Sequence, residues 1–212
     1  MEESRIGSIL DRHDVKKIYW YVEYPHRDRW TKTFDSVDIM RGLGSLLDQP
    51  SSLLYVHMPY CHTQCYFCNC KTIISLNYEN VRSYLTYLHR EIELYGNYFR
   101  TNNLSSNIRE IHLGGGSPTY ISEKDFRDLM EHFRFIVDFS KLTEFSIEVD
   151  PRRINPDRMN FYHSMGVNRI SFGVQDFDVK VQEAINRTQP SFLIERLMTP
   201  EIRNLFPNGF NF

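Results

Sequence analysis

Apolar and polar positions follow two different periods along this chain, and the switches between them mark its elements. Residues 52–59, SLLYVHMP, form a short apolar run of β character that Pro59 ends. From about Tyr78 to Arg100 the apolar residues fall at 81, 84, 85, 88, 92, 95 and 99, the three- and four-residue spacing of an amphipathic helix. REIHLGGG (109–116) reads as a second strand ending in a triple glycine. Ser122, followed three residues later by Asp125, reads as a capping box opening a helix with apolar positions 126, 129, 130 and 133. In TEFSIEVDP (143–151), Phe145, Ile147 and Val149 alternate with Ser146, Glu148 and Asp150, the period of a third strand. Asn155-Pro156 caps and starts a further helix, which Gly166 closes. NRISFGVQD (168–176) is a fourth strand, followed by one or two helical stretches to about Phe206. The ending Gly209-Phe210-Asn211-Phe212 reads as the lead-in to a fifth strand. Residues 1–50 carry few periodic apolar positions but are dense in aromatics at Tyr19, Trp20, Tyr21, Tyr24 and Trp30. They are expected to form an extended arm over the mouth of a core spanning 51–212.

Alternating strands and helices predict an α/β fold with right-handed crossovers and a parallel sheet. The unusual residues fall at the strand ends. Cysteines follow the first strand and Gly114-Gly115-Gly116 the second, Glu148 and Asp150 end the third, and Gln175 and Asp176 end the fourth. Parallel β/α architectures build their working site at the C-terminal ends of the strands. Four such ends therefore describe one shared site.

The 212 residues carry 25 Lys and Arg against 27 Asp and Glu, a net charge of −2. That balance leaves no electrostatic footprint for nucleic acid or an anionic membrane. With 41% hydrophobic and 14% aromatic residues, the chain can bury a real core. No apolar run approaches the ~18 residues of a membrane span. The start, MEESRIGSILDRHDVKK, has charges where a signal peptide needs an apolar segment. The expectation is a soluble, cytoplasmic protein.

All four cysteines, Cys61, Cys65, Cys68 and Cys70, lie within ten residues. A disulfide framework would spread them to staple distant loops. Structural zinc usually takes two separated pairs, and no second pair exists, although His57 and His62 are near. Inert buried cysteines are the bland alternative. An iron–sulfur cluster held by thiolates is the favoured reading of C-x3-C-x2-C, with three ligands leaving one iron of a four-iron cluster open for chemistry. The other motifs have ordinary readings as well. The triple glycine could be a tight turn, Glu148 a surface residue, Arg187 a solvated helix residue, and Tyr55 and Phe67 core aromatics.

With this triad the chain resembles the radical S-adenosylmethionine (SAM) enzymes. The resemblance implies a partial (β/α) barrel, ending after about four βα units. It also implies a [4Fe-4S] cluster whose open iron chelates SAM, and a low-potential electron donor that triggers cleavage to methionine and a deoxyadenosyl radical. YVHMPYCHTQCYFCNCK (55–71), LGGGSPTY (113–120), SIEVDPR (146–152), SFGVQDF (171–177) and INRTQ (185–189) together resemble the oxygen-independent coproporphyrinogen III oxidases. Cys68-Asn69-Cys70 is the most specific part, because the similar haem-chaperone branch has phenylalanine at the position of Cys70. The resemblance implies Cys61, Cys65 and Cys68 as cluster ligands, with Cys70 nearby but not ligating. It further implies that Tyr55, Gly115 and Glu148 contact cluster-bound SAM, and that Phe67, Gly116, Ser117, Gln175 and Arg187 contact a second SAM. Ser117 stands where that family usually has threonine.

The implied reaction converts two propionates of coproporphyrinogen III to vinyl groups, with hydrogen abstraction at the β-carbon followed by loss of carbon dioxide and one electron. No side chain is expected to act as a strong acid or base. The alternatives are another radical SAM reaction on a tetrapyrrole and a non-catalytic haem or tetrapyrrole carrier. In the N-terminal arm, Tyr21-Val22-Glu23-Tyr24-Pro25 keeps only the Tyr-Pro of a segment that the resemblance links to substrate. Family members are longer, so the chain is expected to be an N-terminal portion, inactive by itself and monomeric when complete.

Overall fold

The structure, a computed structural model, describes residues 33 and 35–212. The aromatic arm and the Tyr21–Pro25 segment lie outside the described residues. The chain divides into two compact units, Met1–Leu43 and Gly44–Phe212. Helix α1, Ser36–Leu47, crosses that division, and its apolar Ile39, Leu43 and Leu46 recur at helical spacing. Its first turn is started by Asp35, whose carboxylate accepts from Val37 N and Asp38 N at 2.9 Å.

The second unit is a five-stranded sheet of β1 (Ser52–Met58), β4 (Ile108–Gly115), β5 (Glu144–Val149), β6 (Arg169–Phe172) and β7 (Phe210–Asn211). They pair in that order and every pairing is parallel. The parallel α/β expectation therefore holds, down to the fifth strand at the end of the chain. Between β1 and β4 the chain leaves the sheet, and a two-residue ladder of β2 (Tyr60–Cys61) and β3 (Ile73–Ile74) pins the two ends of that excursion.

Helix α2, Tyr78–Thr101, is capped by Asn77, whose side chain accepts from Glu79 N. It buries Val81, Leu85, Leu88, Ile92 and Phe99, while Tyr84 and Tyr95 at the remaining apolar positions are half-buried. Helix α3, Glu123–Phe133, buries all four residues its period picks out, Phe126, Leu129, Met130 and Phe133. Its cap departs from the usual box. Ser122 Oγ accepts from Asp125 N, but the carboxylate of Asp125 takes the hydroxyls of Ser122 and Tyr78 instead of the Ser122 amide. Ser122 N donates to the Tyr78 hydroxyl, which fills the gap left by the shorter aspartate.

Helix α4, Pro156–Ser164, starts with Asn155 accepting from Arg158 N, and Gly166 at φ +94° ends it. The tail after β6 resolves into three short helices, α5 (Val179–Ala184), α6 (Phe192–Glu195) and α7 (Pro200–Arg203). Pro190 and Pro200, which cannot extend a preceding helix, separate them. The core lies between the helices and one sheet face, where Ile111, Leu113, Phe145, Ile147 and Ile170 are fully buried. No helix among the described residues is long and apolar enough to cross a membrane.

Candidate functional site

The opposite face of the sheet is polar. His112, Ser146 and Glu148 interleave with the core residues of β4 and β5. Ser146 Oγ lies 2.8 Å from His112 Nδ1 and 3.2 Å from Ile111 O, two partners for its hydroxyl. The other ring nitrogen of His112 is 3.4 Å from Glu148 Oε1, and Glu148 Oε2 accepts from Gly115 N at 3.1 Å. Tyr55 stacks on His112 with ring centroids 5.7 Å apart, and its hydroxyl meets His57 Nδ1 at 3.0 Å. His57 Nε2 donates to Lys71 O at 2.8 Å, so the ring proton sits on Nε2 and Nδ1 accepts from the Tyr55 hydroxyl. The cysteine loop is thereby tied to β1.

The triple glycine is demanded by crowding at this corner. A Cβ on Gly114 would lie about 3.0 Å from His112 and Tyr55, and one on Gly115 2.7 Å from the His57 ring. On Gly116 it would lie 2.9 Å from Met58 O and Tyr60 O and 3.0 Å from Cys61 Sγ. Gly115 also has φ +109°, which a side chain would strain. The turn thus lets three strand ends meet.

Above the strand ends lies a cavity of about 300 Å³, walled by the cysteine loop on one side and the ends of β4, β5 and β6 on the other. Cys61, Cys65, Cys68 and Phe67 line it from the loop, Gly115, Gly116, Ser117, Glu148 and Gln175 from the strand ends, and Arg187 from the loop after α5. Cys70 lines it as well. Tyr55 does not. It is half exposed and stacks on His112 at the edge of the cavity. Burial first, then nearby Glu148 and Cys70, pushes its phenol above the ordinary value. Ser117 is buried with its hydroxyl on Thr119 Oγ1 at 3.2 Å. Gln175 sits in left-handed backbone, φ +68°, a conformation a non-glycine residue keeps only where its surroundings impose it.

Arg187 reaches the cavity because its loop is clasped. Gln182 Nε2 donates to Asp176 O and Gln189 O, Gln189 N donates back to Gln182 Oε1, and both side chains are buried. Asn186, at φ +53°, donates from Nδ2 to Gln64 O at 2.7 Å, fixing the loop to the cysteines. Arg187 Nη2 donates to Gly173 O at 2.7 Å, Nη1 lies 3.5 Å from Cys65 Sγ, and Nε is buried without a partner. Asp150 and Arg152 complete this wall. Burial raises the Asp150 carboxyl, but the hydrogen bonds and charges of Arg152 and Arg187 outweigh it and hold it below the ordinary value.

The donor set fits an iron–sulfur cluster. Cys61, Cys65 and Cys68 border one cavity, and burial, then the neighbouring Cys68 and Cys65, pushes the Cys61 thiol up to about 11. Among the described residues no three His, Cys, Asp or Glu side chains are arranged to hold a single metal ion. In a cluster each thiolate binds a different iron, so the thiols need not close on one point. The orphaned Arg187 Nε is a further donor for a bound anionic group. A larger open groove of about 920 Å³, outside the cysteine loop, contains no cysteine. Its Arg158 and Arg196 are already tied to Ile121 O and Ile154 O, so volume alone does not mark the site.

His57, His112, Ser146 and Arg152 were not singled out as site residues in the sequence, whereas Asp150 was placed at the shared site by its position at a strand end. Only the inward phase of β1, β4 and β5 carries a signal for them, since polar residues alternate there with core ones.

Residues 55–197 match the radical SAM superfamily. The chain is 35% identical over 178 residues to proteins named oxygen-independent coproporphyrinogen III oxidase from Salmonella typhimurium and Escherichia coli, covering 84% of this chain and 38% of each relative. A protein of the same name from Pseudomonas aeruginosa is 38% identical over 174 residues, covering 80% of this chain and 37% of the relative. A solved structure, coproporphyrinogen III oxidase from Escherichia coli, described as a radical SAM enzyme, superposes with a TM-score of 0.73 at 32% identity. That superposition covers 89% of this chain and 41% of the solved one. The chain therefore spans about two fifths of the length of these relatives.

Proposed function

The chain belongs to the radical SAM superfamily, and on that premise we propose that it is the cluster-holding part of an oxygen-independent coproporphyrinogen III oxidase. The observation that carries the proposal is the shared cavity, into which the cysteine loop, three strand ends and the loop after α5 bring thiols, glycines, a carboxylate and a guanidinium. When bound, the cluster would supply the electron that cleaves SAM, and SAM the radical that takes hydrogen from propionate side chains of coproporphyrinogen III. Cys61, Cys65 and Cys68 hold the cluster, and Cys70 stands beside Cys68 without ligating. Gly115 turns its strand end so that backbone, not side chain, borders the cavity. Glu148, fixed by Gly115 N and His112, presents a carboxylate to the ribose hydroxyls of SAM. Tyr55 backs the ring of His112. Phe67, Gly116, Ser117, Gln175 and Arg187 form the wall proposed to take a second SAM.

We further propose that these 212 residues take up the cluster without turning over porphyrinogen. Among the described residues β7 is an open sheet edge, and Asn211 on it lines the cavity, so that side of the site stands open. Poor positioning there removes much of the roughly 7–11 kcal/mol that orientation supplies.

The test is anaerobic reconstitution, followed by SAM, a low-potential reductant and coproporphyrinogen III. Methionine and deoxyadenosine should form slowly with little vinyl product. The same assay on a longer chain containing this sequence should give protoporphyrinogen. SAM cleavage with no effect of coproporphyrinogen in the longer chain would favour another tetrapyrrole reaction, and haem retention without SAM cleavage would favour a carrier.

A further inference from the structure

Cys65 is the buried member of the cysteine cluster, 7% exposed. Two guanidiniums face its sulfur, with Arg187 Nη1 at 3.5 Å and Arg152 Nη2 at 3.8 Å. Among the described residues the arginine contacts to cysteine sulfur fall on Cys65. Neither arm is loose. Arg152 is clamped by Asp150, with Nε 2.9 and 3.2 Å from the two carboxylate oxygens and Nη2 2.7 Å from Oδ2. Asp150 is itself fixed by accepting from Arg152 N at 3.1 Å. Arg187 is held by Gly173 O and lies 3.6 Å from Asp150 Oδ1. All three side chains are between 10% and 16% exposed. Two fixed positive charges and one negative charge leave an excess of one positive charge against the Cys65 sulfur.

Such an arrangement acts on the electron affinity of whatever that sulfur ligates. Reduction of a cluster places additional negative charge on its iron and sulfur atoms. Hydrogen-bond donors and positive charge at a ligand sulfur stabilise the reduced form and raise the potential. The effect is larger where water is kept out. We propose that Asp150, Arg152 and Arg187 form a fixed cationic clamp on Cys65 that raises the reduction potential of the cluster, with Asp150 both positioning Arg152 and limiting the shift. This rests on the cluster assignment made above. It makes Arg152 a positioning and tuning residue that the sequence motif does not reveal.

The two members with opposite charge give the test its sign. Full-length wild type, Arg152→Gln, Arg152→Lys and Asp150→Asn are reconstituted anaerobically. Iron and sulfide content are measured, and the midpoint potential is read by redox titration followed by the visible and paramagnetic signals. Arg152→Gln should keep the cluster and titrate at a more negative potential than wild type. Asp150→Asn should shift it the opposite way, and Arg152→Lys, which keeps the charge but not the fork, should fall between wild type and Arg152→Gln. Loaded variants with the potential of wild type, or all shifted in one direction, would overturn the clamp and leave a purely structural ion-pair network. If Arg152→Gln does not assemble a cluster, the opposed shifts of Arg152→Lys and Asp150→Asn decide in its place. Loss of cluster uptake by wild type itself would overturn the functional reading instead.

Discussion

The two faces of β4 and β5 differ in everything except the backbone they share. On the helix side Ile111, Leu113, Phe145 and Ile147 are fully buried in apolar contact. On the other side His112, Ser146 and Glu148 form a hydrogen-bonded row that ends at the cavity. The difference teaches that these strands separate stability from chemistry by phase. One face holds the backbone in place, and the other uses that rigidity to aim polar groups. Substitutions one residue apart on the same strand should therefore fail in different ways.

The largest stability effect is expected on the helix face. Phe145→Ala removes a ring that is fully buried, and should destabilise the fold by about 3–5 kcal/mol, measured by denaturant unfolding. A loss below about 1 kcal/mol would mean that this face is not the stabilising one. At the corner where both faces meet, Gly116→Ala pushes a methyl against backbone carbonyls of Met58 and Tyr60 and against Cys61 Sγ. Overpacking of this kind costs about 1–3 kcal/mol. It should also lower cluster uptake, since Cys61 must move. Normal stability with normal uptake would contradict the crowding argument.

Further from the site, Ser122→Ala should cost about 1 kcal/mol by removing the cap of α3. The same cap has a pH signature. Burial raises Asp125, but hydrogen bonds from Tyr78 and Ser122 outweigh it and hold the carboxyl below its ordinary 3.8. A depressed carboxyl stabilises the fold above its unfolded value, and the contribution is lost as pH falls through the folded one. Asp125→Asn should therefore be less stable than wild type at neutral pH, with the gap closing on acidification. The smallest stability effect is expected on the polar face. Glu148→Gln, half-buried at the cavity rim, should stay within about 0.5 kcal/mol of wild type while weakening SAM binding to the cluster-loaded protein. A stability loss as large as that of Phe145→Ala would erase the contrast between the faces.

What could be read in the sequence follows the same division. The helix face was legible because burial against helices imposes a local period. The four apolar positions of α3 and the alternation of Phe145, Ile147 and Val149 are buried as read. The cysteine loop, triple glycine and Glu148 were legible as unusual residues at strand ends. The partners that orient them were not, because each is made across the sheet or between loops. The reciprocal geometry of His112 with Ser146 and Glu148 joins residues 34 and 36 positions apart. The approach of Arg152 to Cys65 spans 87 positions. The resemblance places Tyr55 at cluster-bound SAM, and its stacking on His112 of the neighbouring strand is a contact that no local pattern of the sequence shows. The tail after β6 was read as one or two helices because its apolar positions carry no phase strong enough to reveal three short ones.

The central claim is that three thiols of the loop, and not the fourth, hold a cluster. The direct measurement is iron and sulfide content with the visible spectrum after anaerobic reconstitution of Cys61→Ala, Cys65→Ala, Cys68→Ala and Cys70→Ala. The first three should lose the cluster's broad visible absorption and bound sulfide, and Cys70→Ala should retain both. A Cys70→Ala variant without cluster beside a Cys61→Ala variant that keeps it would contradict the account.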